Sequence, residues 1–199
     1  MKPPIIVISG TPATGKTTVG TLIARMLNGA LISITELVKE KELIVSWDLE
    51  RETGNIDEET CRSALLEEIQ KQESNIHEAI IIEGTMADVI GDMAGVAVVL
   101  RLHPRIVRQR LEARGYSPRK IVENVQSEIL GTCTFHMREA RGNDFFDIDT
   151  TAKAPDVVAG IIDGLARGER DGSLYRPGLV DWIQDETLPL DALFKEGMD

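Results

Sequence analysis

Aromatic residues make up only 4% of this 199-residue chain, which leaves few platforms for stacking the bases of single-stranded nucleic acid. Positive charge is also short: 22 Lys and Arg face 33 Asp and Glu, a formal net charge of −11. Such a surface argues against bulk binding to nucleic acid or anionic membrane, while leaving room for a local basic pocket. Cysteine is limited to Cys61 and Cys133. Both fall in helix-like stretches among apolar neighbours, which reads as buried thiols without a disulfide framework or metal site. The longest apolar run, Met93 to Leu100, is too short to span a bilayer, and the N-terminal apolar run ends in a glycine loop, unlike a signal peptide. A reducing cytoplasm is the expected location. His77, His103 and His136 lack metal-ligand spacing, and no Asn-Lys-x-Asp sequence points to guanine.

What is present is a regular alternation. The length fits one domain with a small lid or an appended tail, and 42% apolar residues suffice for a core. Pro4–Ser9 is a β-branched run ended by Gly10 and the loop to Gly15, after which Val19, Leu22, Ile23, Met26 and Leu27 form a one-face helical stripe. Leu31–Ile34 reads as a strand or extended link, and Ser33-Ile34-Thr35-Glu36 has capping-box spacing that predicts a helix to about Lys41. Trp47–Ile56 reads as a loop. A helix is expected at about Glu58–Glu73, strands at Ala79–Ile82 and Gly95–Leu100, and a helix from Pro104 that breaks at Gly115-Tyr116-Ser117-Pro118. One long helix then turns Ile121, Val125, Ile129 and Cys133 inward, before a strand at Phe145–Asp149 and a helix at Pro155–Arg167. Wholly apolar strands alternating with amphipathic helices specify an α/β fold with a parallel sheet covered on both faces.

Chemistry enters at Gly10-Thr11-Pro12-Ala13-Thr14-Gly15-Lys16-Thr17. Strand, G-x-x-x-x-G-K-T and helix together form the full context of a Walker A loop. Loop amides and the helix N-terminus converge on phosphates. Lys16 brings a mobile positive charge to the β and γ phosphates, and the Thr17 hydroxyl is placed to ligate Mg²⁺. The implied substrate is ATP with Mg²⁺. Glu83, at the end of Ile80-Ile81-Ile82, supplies the second carboxylate such a metal needs, acting through water; the alternative is a strand-end glutamate facing solvent. Ligand sites at the carboxyl ends of parallel strands favour the metal role.

A basic island lies between Arg101 and Lys120, with Arg105, Arg108, Arg110, Arg114 and Arg119 against the single acid Glu112. Arg110 and Arg114 are four apart and share a helix face before the Gly115 break. Arginines on a closing flap can meet the charge that phosphoryl transfer spreads over the moving group. Arg114, at the hinge, is the candidate catalytic partner of Lys16, whereas Arg105 and Arg108 read as solvated surface.

In this order the motifs resemble the adenylate kinase isoenzyme 6 family. The resemblance rests on Ser9-Gly10-Thr11-Pro12, Gly15-Lys16-Thr17-Thr18, Glu36-Leu37-Val38-Lys39-Glu40, Arg110-Leu111-Glu112-Ala113-Arg114-Gly115-Tyr116, Glu123-Asn124-Val125-Gln126-Ser127-Glu128-Ile129 and Asp149-Thr150-Thr151-Ala152-Lys153-Ala154-Pro155, spanning about residues 4–168. It implies a three-layer P-loop NTPase core with a short lid at about 113–123 and a monophosphate-binding segment at about 33–56. The expected reaction is reversible transfer of the ATP γ-phosphate to AMP. ATP would contact Gly10, Ala13, Thr14, Gly15, Lys16, Thr17 and Thr18, with Arg114 on its phosphates, Arg110 against the adenine and Lys153 near the ATP side. Lys39 and Arg51 become candidates for the AMP phosphate. The resemblance also implies a second reading, an ATPase of small ribosomal subunit maturation that docks on a ribosomal protein. A third is a kinase of another small acceptor.

The chain departs from the family at four places. Ala13 replaces a glycine, which requires that residue to keep φ negative. Glu83 replaces an aspartate, Thr85 replaces a histidine, and the acidic-aromatic signature of the monophosphate segment is reduced to Trp47-Asp48-Leu49-Glu50-Arg51. The acidic tail, residues 169–199, carries Leu174, Tyr175, Trp182, Ile183, Leu188, Leu190, Leu193 and Phe194. So many large apolar groups predict that it docks on the core or on a partner chain.

Overall fold

A computed structural model describes residues 2–48, 53–75, 78–190 and 193. The elements follow the chain as β1 (Ile5–Ser9), α1 (Lys16–Met26), β2 (Ala30–Ser33), α2 (Ile34–Glu40), β3 (Ile44–Asp48), β4 (Thr53–Ile56), α3 (Glu58–Glu73) and β5 (Ile80–Glu83). A 3₁₀ turn at Ala87–Met93 leads to β6 (Val96–Arg101), α4 (Pro104–Ala113), α5 (Pro118–Leu130), α6 (Thr132–Arg141), β7 (Phe146–Asp149) and α7 (Pro155–Ala166). The main sheet has the order β2-β5-β1-β6-β7, and each of its neighbouring pairs is parallel.

Side-chain alternation explains why the strands are apolar throughout. Ile5, Val7, Ile80 and Ile82 face one core, together with Leu37, Leu65, Ile69 and Met137 of α2, α3 and α6. Ile6, Ile8 and Ile81 face the other, against Val19 and Ile23 of α1 and Ile161 and Ile162 of α7. The result is a three-layer α/β core. A third cluster lies off the sheet, where Val107 and Leu111 of α4 meet Ile121, Val125 and Ile129 of α5, and where Leu188 and Leu193 of the C-terminal segment are also buried. No helix among the described residues is long and apolar enough to cross a membrane.

Three local expectations are corrected. The stretch read as a loop at Trp47–Ile56 belongs largely to an antiparallel hairpin, in which Trp47 stands opposite Gly54 and Ile44 opposite Ile56. Most of β3 is exposed, so no buried face imposes the alternation that marks a half-buried strand. Gly54 leaves space that the Ile44 side chain fills; a Cβ there would lie 2.8 Å from Ile44 Cδ1. Second, the long helix is interrupted at Gly131, φ 66°. A Cβ at Gly131 would lie 3.4 Å from Arg101 Nη1, so the break makes room for a buried guanidinium. Third, Ser33 is the N-cap of α2 but its hydroxyl makes no capping bond.

Candidate active site

The loop after β1 is shaped by what its glycines permit. Gly10 has φ 145°, and a Cβ there would lie 2.5 Å from the Leu100 carbonyl oxygen. Only glycine lets the chain cross the end of β6 this closely. The Thr14 hydroxyl donates to the Thr11 carbonyl at 2.9 Å, and the loop ends at Gly15, φ 102°, which caps α1.

Ala13 overturns the requirement placed on it, because its φ is 74°. Left-handed backbone costs an L-residue roughly 1–2 kcal/mol. Two contacts hold it there. Arg110 Nη1 donates to the Ala13 carbonyl at 2.9 Å, and the Ala13 methyl is buried with Leu102, Val107 and Leu111.

Lys16 is buried and folds back over its own loop, its ammonium donating to the Thr11 carbonyl at 3.0 Å. Burial pushes its pKa below the ordinary lysine range, with the Arg114 charge adding to that effect and the Glu83 and Glu128 carboxylates opposing it. Glu83 is itself 3% exposed. Both residues line a cavity of about 460 Å³ at the carboxyl ends of the strands, the position where open α/β sheets hold ligands. Ala13, Gly15, Thr17 and Thr18 form its floor, and Arg114 and Tyr116 form its rim. Leu31, Ser33, Thr35 and Glu36, at the junction of β2 and α2, also line it, as does Thr85, two residues after Glu83.

Thus Lys16, Thr17, Thr18, Glu83 and Arg114 are brought together. Gly10 and Thr14 shape the loop without lining the cavity. Arg110 reaches the loop through Ala13. Lys153 donates to the Asp149 carbonyl at 2.7 Å and lines a neighbouring cavity with Tyr175 and Trp182. Lys39 is exposed and pairs with Glu36 at 3.2 Å, so only its partner lines the main cavity. Arg51 lies outside the described residues.

The oxygen donors suit a hard cation. The Thr17 hydroxyl and the Glu83 carboxylate share the cavity. No cluster of three His, Cys, Asp or Glu that could hold a metal occurs among the described residues. A cation here would complete its shell with phosphate and water, as Mg²⁺ does.

Sequence reasoning placed Arg101 in the basic island, but the structure removes it. Arg101 is 3% exposed, and its Nε donates to Glu128 Oε1 at 2.8 Å and its Nη2 to the Glu128 carbonyl at 2.7 Å. Nη1 donates to Thr134 Oγ1 at 3.2 Å, and the Thr134 hydroxyl donates to Asp147 Oδ1 at 2.9 Å. Burial pushes the Asp147 carboxyl upward. Arg105 is exposed, as read, and also donates to the Thr187 carbonyl. Ser33 and Thr35, within the segment expected to bind the monophosphate, and Thr85 also line the cavity, although none was singled out as a site residue. Their place at the end of β2 (Ser33) and two residues past β2 and β5 (Thr35 and Thr85) was the available signal.

Loop, sheet order and cavity together define a P-loop phosphotransferase. Residues 6–131 match the family model described as an AAA domain. A protein of Methanocaldococcus jannaschii named "Putative adenylate kinase" is 34% identical over 180 residues, covering 90% of this chain and 93% of that protein. One of the same name from Methanothermobacter thermautotrophicus is 36% identical over 179 residues, covering 89% and 96%. The chain belongs to this family and is a nucleotide kinase. The shikimate kinase of Acinetobacter baumannii, solved with shikimate, shares the fold with a TM-score of 0.55 at 20% identity, covering 84% of this chain and 95% of that one.

Proposed function

We propose that the chain catalyses reversible Mg²⁺-dependent transfer of the ATP γ-phosphoryl group to AMP, giving two ADP. The observation that carries this reading is one cavity lined both by the glycine loop, Lys16 and Arg114 and by Ser33, Thr35 and Glu36 at the junction of β2 and α2. The glycine loop and the α1 N-terminus would cradle the ATP phosphates. Lys16 would turn from the Thr11 carbonyl to the β and γ phosphates. Arg114 would close from the rim over the transferring group, with a lid at about 113–123. Thr17 and, through water, Glu83 would hold Mg²⁺, which when bound neutralises charge on the phosphate oxygens. Arg110 and Lys153 would flank the adenine side.

On the acceptor side, a segment at about 33–56 would close over AMP. Ser33, Thr35 and Glu36 can hydrogen-bond ribose or base, and Lys39 or Arg51 would meet the phosphate. Positioning and electrostatics do the work, with no covalent intermediate on the protein. A cytoplasmic location goes with this reading, which the two free, buried cysteines fit.

A second reading draws on the lining itself. Ser33, Thr35, Glu36 and Thr85 offer hydroxyls and a carboxylate, a set that also suits an uncharged hydroxyl acceptor. ATP hydrolysis tied to ribosomal subunit maturation rests on family resemblance alone. The same assay separates all three. ADP formation from ATP is measured with AMP, CMP, UMP or small hydroxy compounds, alongside phosphate release from ATP alone. AMP-dependent ADP formation is expected; phosphate release that ignores every acceptor would overturn the kinase reading.

A further inference from the structure

After α7 the chain does not leave the fold. It runs up the edge strand β7, where the Gly178 amide donates to Asp147 Oδ2 at 2.9 Å and Arg101 Nη1 donates to the Val180 carbonyl at 3.3 Å. It then crosses the end of β6. There the Trp182 indole N–H donates to Glu128 Oε1 at 3.0 Å, and its ring meets His103 edge-on with centroids 5.3 Å apart. Asp185 Oδ2 lies 2.9 Å from His103 Nε2. Leu188 and Leu193 are buried in the α4–α5 groove, and Gln126 Nε2 donates to the Leu193 carbonyl at 2.8 Å. From Trp182 onward, these contacts go to the two helices that flank the Arg114–Ser117 connection, or to residues at their roots.

We propose that Trp182 is a positioning residue for phosphoryl transfer, acting through Glu128 and α5 on the approach of Arg114 to the ATP phosphates. The proposal rests on the ATP-dependent phosphotransferase reading but not on the identity of the acceptor.

The geometry gives the reason. Glu128 Oε1 accepts from Arg101 Nε at 2.8 Å, from the Leu102 amide at 3.2 Å and from Trp182. The first two donors belong to β6 and its exit, so they hold α5 to the sheet. The third comes from the C-terminal strap and sets how α5 sits against α4. The link between these helices, where Arg114 ends α4 and Gly115 has φ 72°, is short. A shift of α5 is therefore passed to Arg114 and Tyr116 at the cavity rim. Trp182→Phe removes the N–H while keeping a ring against His103, and leaves Glu128 two donors, so the fold should persist.

The effect should appear in turnover more than in ground-state binding, because misplacement of a group used in the transition state lowers kcat. A displacement of 1 Å can cost on the order of 10²-fold. Loss of one of three donors should cost less, roughly three- to tenfold in kcat, with the directly measured ATP dissociation constant changed by less than about twofold. A purely structural strap would not give that split. A second measurement uses the full chain with Trp47→Phe, which leaves Trp182 as the only tryptophan. Its emission should change when Mg²⁺ and a non-hydrolysable ATP analogue are added, because the strap moves with the lid helices.

A kcat for Trp182→Phe within about twofold of the parent overturns the proposal, whatever the emission does. So does an equal loss of kcat and ATP affinity accompanied by a lower Tm, which would mean structural support only. Should Trp182→Phe fail to fold, an emission that ignores saturating analogue overturns it instead. Because emission and ATP affinity need no acceptor, failure of the AMP reading remains a separate result.

Discussion

Replacing Glu128 by Gln is the sharpest test of how this chain holds α5 to the sheet. Glutamine keeps an oxygen where Oε1 now accepts from Arg101, Leu102 and Trp182. It therefore preserves shape and most of the hydrogen bonding, and removes mainly the charge. Arg101 is left 3% exposed beside a neutral amide. Stripping one partner from a buried pair commonly costs about 3–5 kcal/mol, because an uncompensated charge stays buried. Asp147, which already feels the Arg101 charge, should offset part of this, so the lower end, near 3 kcal/mol, is expected. For a chain of this length that corresponds to a Tm lower by roughly 6–12 °C. Denaturant titration of parent, Glu128→Gln, Arg101→Met and the double variant checks it: Cm should fall with m unchanged in Glu128→Gln, and the cycle should show strong positive coupling. A loss below about 1 kcal/mol, or additive single effects, would refute the view that charge pairing matters at this junction.

Lys16→Ala should lower turnover by on the order of 10²–10³ while leaving the far-UV spectrum unchanged, since the one hydrogen bond of the Lys16 ammonium among the described residues is to the Thr11 carbonyl of its own loop. Near-parental kcat in a folded variant would exclude Lys16 from the mechanism. Under the proposed mechanism, in which Arg114 would act in a closed state, Arg114→Ala should reduce kcat more than it weakens ATP binding measured by calorimetry; unchanged kcat with weakened binding would make it a ground-state anchor. Since burial favours the neutral amine of Lys16, the free enzyme should lose that charge at a pH below the usual lysine range, and kcat/KM should fall on the alkaline side accordingly. For stability the sign is opposite. The unfolded chain keeps the proton longer, so the destabilising effect of burying Lys16 is relieved as pH rises through its folded pKa. A kcat/KM profile flat up to the ordinary lysine range would contradict the first effect, and urea melts across the same pH range test the second.

The sequence by itself determined the parts that are local or strictly periodic. Gly10 to Thr17 sits between a strand and a helix because glycine positions and the apolar stripe of α1 are written in consecutive residues. The buried strands declared themselves for the same reason: both faces of Ile80-Ile81-Ile82 are covered, so every side chain must be apolar. Helix breaks at Gly115 and before Pro118 are backbone chemistry and were equally legible.

Only the tertiary structure decided what depends on contacts distant in the chain. Whether Ala13 could take a left-handed φ turned on Arg110, 97 residues away. Whether Arg101 served phosphate or the core turned on Glu128 and on the space that Gly131 leaves open. The β3–β4 hairpin escaped because an exposed strand bears no burial pattern. The acidic C-terminal segment had the composition to dock, but no periodicity could say where. Its place against α4 and α5 follows from Trp182 finding a carboxylate on one helix and Leu188 a groove between two, and such complementarity exists only once those helices are packed.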